Sequence, residues 1–292
     1  MSRISFSLSK VWLLSSVREG DGNLVRYLDE SSLQSVRLAK PSLAVQLISI
    51  WGREDLYAAL EHIRESAQLG LSPLVHFDMH GNEHGIELAN SDYVTWGEMY
   101  EEIVDINIAS RLNLVLTVSS CYGGLLARAT KLTSAAPFFA LIGPVGETTF
   151  GAVISAYDAF FNTLFDGGEL DSAFIELEKS VPASEHYQLI TAGHVFSLGW
   201  SAYLKVMQDS GKMTLRVNRM AEEAVRLTGC KNLISKFRKI ARTELKHGVS
   251  EAFEDMKCRF FMLDSFPENV ERFSYSLSEV ASTVDVSTIN HR

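Results

Sequence analysis

The stretch LVHFDMHGNEHG, Leu74–Gly85, carries three histidines and one aspartate in twelve residues. Its first half is apolar and leads to Gly81, so SPLVHFDMHG reads as a strand ending there. NEHGIELAN then reads as a hairpin turn with a short return strand. Side chains alternate along a strand, so His76, Asp78 and His80 share one face. Three readings follow: a metal site, the base of a thiol nucleophile, or a strand end whose histidines bond their neighbours.

The flanking pattern gives the fold class. KVWLLSSV is a short apolar run closed by the charged turn REGDGN, a buried strand and a loop. LAVQLISIW reads as a strand or short helix. REDLYAALEHIRESAQLG puts Leu56, Leu60, Ile63 and Ala67 at helical spacing before a glycine stop. TWGEMYEEIVDIN opens with Thr95 and Glu98 at capping-box spacing. LNLVLTVSS is a near-continuous apolar run, as a central parallel strand requires. CYGGLLARATKL turns from it into another helix. PFFALIGPVGE is a further strand, TFGAVISAYDAFFNTLFDGG a long helix, and LDSAFIELEKS a second. Strands alternating with helices predict an α/β fold, a mainly parallel sheet flanked by helices. After about Pro182 strand signals mostly stop. The expected division is an α/β domain over 1–182 and a mainly helical extension over 183–292.

Composition sets bounds. The 292 residues are 46% hydrophobic and 22% charged, the balance of an ordinary globular protein. Three cysteines, Cys121, Cys230 and Cys258, form no CxxC pair. An odd count argues against a disulfide framework and for a reducing, cytoplasmic setting. The apolar run in MSRISFSLSKVWLLSSV is too brief for a signal peptide core, and nothing reaches membrane-span length. A net charge of −9 disfavours nucleic acid as a partner of the whole surface. Residues 205–247 are the exception: eleven basic residues face four acidic ones, +7, which leaves −16 for the rest of the chain. Within this segment, NLISKFRKIARTELKHG puts Leu233, Phe237, Ile240, Ala241 and Leu245 on one helical stripe, with Lys236, Lys239, Arg242 and Lys246 largely outside it. It reads as a solvated face or as a surface for an acidic partner.

Reactive groups collect at the carboxyl ends of parallel strands. His80 and Cys121 end two predicted strands, and each is followed closely by glycine. A thiol attacks a carbonyl as thiolate, and an imidazole can serve as its base. An oxyanion needs fixed N–H donors, which Gly81 and Cys121 could supply. Against this, a lone Cys is usually a small buried hydrophobe and a lone His a bonded structural residue. A zinc hydrolase using His76, Asp78, His80 and His84 is the rival, although HFDMHGNEH has none of the established ligand spacings.

The ordered pair LVHFDMHG and LNLVLTVSSCYGG resembles the caspase-like cysteine peptidases, and most closely the bacterial CHAT-domain proteases. GIELANSDYVTWGEMYEEI resembles their linker, and PFFALIGPVGETTF with AFFNTLFDGGELDSAFIELEK their closing strand, loop and helices. The resemblance covers about Val11–Lys179. It implies a cysteine endopeptidase acting on protein or peptide substrates, with His80 as base, Cys121 as nucleophile and Gly81 as oxyanion donor. No metal and no cofactor is implied; a separate activating protein and a bacterial defence role are. Ser119 stands where metacaspases usually carry an acidic residue, and no arginine aligns with those that bind aspartate in caspases. The substrate pocket expected among the strand ends takes in SSVREGD, Asp78, Ser119 and GPVGET, with Asp78 and Glu147 as carboxylates for a basic side chain. Glu147 could instead cap the helix near Thr149. A caspase-like module without catalysis is the remaining alternative.

Overall fold

The computed structural model describes residues 6–41 and 43–286. The positively charged start at 1–5 lies outside them. The chain forms two compact units, Met1–Ala192 and Gly193–Arg292.

The first unit is built on a mainly parallel sheet. Its strands are β1 (Lys10–Ser16), β2 (Ala44–Ser49), β3 (Pro73–Asn82), β4 (Gly85–Glu87), β5 (Tyr93–Thr95), β6 (Val115–Val118), β7 (Ala140–Pro144) and β8 (Tyr187–Thr191). The long path runs β2-β1-β3-β6-β7-β8, with β4 pairing β3 and β5 pairing β4. Contacts among β2, β1, β3, β6 and β7 are parallel. The central strands are buried almost throughout, which is why VWLL, LVHF and LVLTV read as continuous runs. β2 lies at the edge and is only partly buried.

Helices cover both faces. Helices α3 (Arg53–Gln68) and α4 (Trp96–Ala109) pack on one another; α1 (Leu24–Glu30), α2 (Ser32–Ala39) and α6 (Leu170–Ser180) pack on α5 (Phe150–Phe165). Strand alternation assigns the faces: Trp12 meets His62 of α3, whereas His76 meets Tyr157 and Phe161 of α5. At α4 the expected capping box forms, with Thr95 Oγ1 accepting from the Glu98 N–H and Glu98 accepting from the Thr95 N–H.

There are three local differences. Residues 24–39 hold α1 and α2, two short helices that the reading of the sequence left out, although Asn23 caps α1 by accepting from the Arg26 N–H. CYGGLLARATKL forms only a 3-10 turn, Gly123–Ala129. Two glycines open it and disfavour helix, and a Cβ at Gly123 would come within 2.5 Å of Val118 Cγ1. The boundary expected at 182 falls before β8, which pairs antiparallel with β7 and carries the first unit to Ala192.

The second unit holds most of α7 (Ala192–Gln208), then α8 (Ser210–Thr228), α9 (Ile234–His247), α10 (Val249–Phe260), α11 (Asn269–Arg272) and α12 (Leu277–Val286). Phe196 at its core touches Trp200, Phe253, Phe260 and Phe261. A smaller cluster joins α8 to α9 through Val217, Ala241 and Leu245. Of the stripe expected on α9, Ala241 and Leu245 are buried, whereas Leu233 and Ile240 stay exposed. Lys236, Lys239 and Arg242 are exposed as well. Among the described residues no helix is long and apolar enough to cross a membrane.

Candidate functional site

Strand order reverses beside β1, with β2 on one side and β3 on the other. In such sheets the crevice opens at the carboxyl ends of the strands flanking the reversal. The chain leaves β1 into loop 17–23, leaves β3 at His80–Gly81, and leaves neighbouring β6 at Ser119–Cys121. The chemistry-bearing residues therefore converge because of topology.

The end of β6 is held closely. Ser119 donates both its N–H and its Oγ to the Phe77 carbonyl, at 2.9 Å each. Tyr122 then takes a left-handed backbone, φ 61, and its N–H donates to the Gly146 carbonyl at 2.9 Å. Left-handed geometry is uncommon outside glycine and concentrates at functional turns. It sharpens the turn and leaves Cys121 half-buried at its apex. Among the described residues no backbone carbonyl accepts from the Cys121 N–H. The Cys121 thiol lies 3.8 Å from the Thr148 carbonyl.

The end of β3 abuts this turn. A Cβ at Gly81 would lie 2.8 Å from both the Cys121 carbonyl oxygen and Ser120 Cβ. Gly81 is the residue that lets the two backbones approach. Its amide is also directed. Glu83 and His84 alone form the β3–β4 turn, so Asn82 and Gly85 are the hydrogen-bonded closing pair and Gly81 and Ile86 the next, non-bonded pair. The Gly81 N–H thus points away from β4.

His80 is exposed, and its Nε2 lies 2.9 Å from Asp21 Oδ2. The hydrogen bond to His80 holds the Asp21 carboxyl below its usual range, against desolvation acting the other way. Nothing in the local sequence joined these residues; the usable sign was an acid in the loop after the neighbouring strand.

The other residues of the opening stretch have different surroundings. His76 is fully buried, its Nδ1 2.9 Å from Thr117 Oγ1, and burial lowers its pKa to about 3. Asp78 accepts from the Val25 N–H at the start of α1, at 3.1 Å, and from Ser119 Oγ at 3.3 Å. Burial raises its pKa to about 6, partly offset by these donors. Asp78 and Ser119 are thus joined, but inside a closed network that ties α1 to the strand ends. His84 is exposed in the hairpin turn. Among the described residues no three His, Cys, Asp or Glu side chains gather in a way that could hold a metal ion. The zinc reading has no ligand set.

Glu147 is exposed. The start of α5 is instead served by Thr149, whose side chain accepts from the Ala152 N–H, and by Glu185, which accepts from the Thr149 N–H at 3.3 Å. The Tyr122 phenol is pushed up by desolvation, with Glu147, Glu83 and the Cys121 thiol adding to it. Glu147 takes no part in the Asp78 network.

Compared with known proteins, the chain matches no family model and no curated protein.

Proposed function

We propose that this chain is a cysteine endopeptidase of the caspase-like kind, nearest in pattern to the CHAT-domain proteases. The observation that supports the reading is the seating of Gly81 against the Cys121 carbonyl, which brings the backbone that follows His80 against the turn that carries Cys121. In this reading His80 takes the proton from Cys121 Sγ and the thiolate attacks the scissile carbonyl. The oxyanion meets the N–H groups of Gly81 and Cys121. His80 then gives its proton to the leaving amine, and water hydrolyses the thioester, returning free Cys121. The reaction needs no cofactor. The substrate is a protein or peptide, an activating protein is a separate chain, and the setting is cytoplasmic.

The test is cleavage of a peptide library by the full chain, compared with Cys121→Ala and His80→Ala. Expected is cleavage by the wild type alone, with alkylation of Cys121 much faster than of Cys230 or Cys258. A non-catalytic interaction module is the second reading. It draws on the Cys121 thiol lying near the Thr148 carbonyl. Equal, slow alkylation of the three cysteines and no cleavage would favour it.

A further inference from the structure

We infer that Asp21 is the positioning residue of the site, holding His80 in the tautomer and orientation that leave its Nδ1 free to act. This rests on the reading of His80 as the base. Asp21 Oδ2 lies 2.9 Å from His80 Nε2, across 59 residues of sequence. An ionised carboxylate only accepts, so Nε2 carries a proton, and in the neutral ring Nδ1 keeps its lone pair. A base for Cys121 must present an unprotonated nitrogen, and a carboxylate behind the ring also stabilises the imidazolium that forms.

The loop that carries Asp21 is built to hold it. The Asp21 N–H donates to the Arg18 carbonyl at 3.1 Å, and the Arg18 N–H returns a bond to Asp21 Oδ2 at 3.3 Å. Gly20 between them has φ +96, the left-handed region that closes this turn. The Arg18 guanidinium is ion-paired with Glu87, which is the β4 residue opposite His80. The loop is therefore tied to the hairpin whose other strand carries the histidine. On its far side Gly22 lies against the Phe150 ring. Asp21 is thus the carboxylate bonded to His80, whereas Glu87 is paired to Arg18.

One loop anchored at several points would be an ordinary structural feature if its carboxylate met solvent. Here the carboxylate meets the histidine that ends β3, at the strand pair where the sheet order reverses. A carboxylate so placed sets which ring nitrogen is basic.

The experiment compares Asp21→Asn and Asp21→Glu with wild type in the full chain. Imidazole 15N shifts of His80 report the tautomer, and iodoacetamide labelling read by mass spectrometry reports the reactivity of Cys121. Asp21→Asn offers an amide N–H where the carboxylate accepted. It should shift His80 away from the Nε2–H form and slow labelling of Cys121 by about 10- to 100-fold, the range seen when the outer partner of a histidine is removed. Asp21→Glu, which keeps a carboxylate, should restore the tautomer and part of the rate. The tautomer is measured again on Cys121→Ala, which has no nucleophile. A change there on adding Asp21→Asn supports the positioning role even if no peptide is cleaved. An Nε2–H signature that persists in Asp21→Asn with the fold intact overturns it. Equal losses in Asp21→Asn and Asp21→Glu with an unchanged His80 signature also overturn it, since the residue would then serve only the loop.

Discussion

His76 and His80 stand four residues apart on the same face of one strand, and their surroundings are opposite. Over Leu74–Phe77, β3 has β1 on one edge and β6 on the other. His76 is sealed there against Tyr157 and Phe161. Beyond Met79 the parallel neighbours run out, and His80–Asn82 pair antiparallel with β4. The lesson is that exposure on this face follows from where its covering helix stops. The same imidazole is a core group where Tyr157 and Phe161 of α5 cover it and an exposed group four residues further on.

The comparison is broken most sharply by removing the proposed base and nucleophile. Cys121→Ala or His80→Ala should reduce peptide hydrolysis by about 10⁴-fold or more, with thermal unfolding little changed, because the two act as a unit. Rates of cleavage and the unfolding midpoint, measured side by side, check this. Retained activity in either variant would return His80 to the class of His76.

Gly81→Ala tests the contact between strand end and turn. The added methyl lies 2.8 Å from a backbone oxygen, so β3 or the Cys121 turn must shift. Loss of one oriented oxyanion donor typically costs about 10²- to 10³-fold in rate. A comparable drop in turnover, with far-UV dichroism unchanged, is expected.

The buried half has its own signature, in pH dependence. His76 has its folded pKa lowered to about 3, so on acidification the unfolded chain takes this proton first and stability falls as pH drops below its usual 6.5. Asp78 has its folded pKa raised to about 6, so the folded chain takes that proton first and stability rises as pH falls from 6 towards 4. The two effects oppose each other between pH 4 and 6. Asp78→Asn should expose the His76 effect, a loss on the order of 2–3 kcal/mol across that window at about 1.4 kcal/mol per pH unit. His76→Leu should leave the opposite slope. Urea unfolding at pH 4, 5 and 6 distinguishes them, and parallel slopes in both variants would show that His76 and Asp78 are not the groups responsible.

The smallest effect lies outside this unit. Reversing Lys236, Lys239 and Arg242 to glutamate changes three exposed side chains of α9 for which no carboxylate partner exists among the described residues. Labelling of Cys121 by iodoacetamide should be unchanged. Turnover of a protein substrate, or binding of an acidic partner, should fall a few-fold and lose part of its salt dependence, as for exposed charges about one Debye length or less apart. If turnover, binding and salt dependence all stay the same, the basic face is only solvated.

Much of this molecule is written locally. Apolar runs such as VWLL and LVLTV could only be inner strands, because a parallel strand covered on both faces has no polar side. Thr95 and Glu98 marked the start of α4, because a cap is made within one turn of chain. His80 and Cys121 were legible as strand ends followed by glycine. What needed the tertiary structure was every relation across the sheet. Asp78 looked available to a substrate, yet the N–H of Val25 at the start of α1 occupies it. β8 was missed because one short edge strand gains its stability from pairing with β7 rather than from its own pattern. Asp21 meets His80 only because strand order sets β1 beside β3. Periodicity and caps act over a few residues, so sequence determines the elements and the residues at their ends. Which ends meet is decided by hydrogen-bonded pairing between distant strands, and that pairing exists only in the folded sheet.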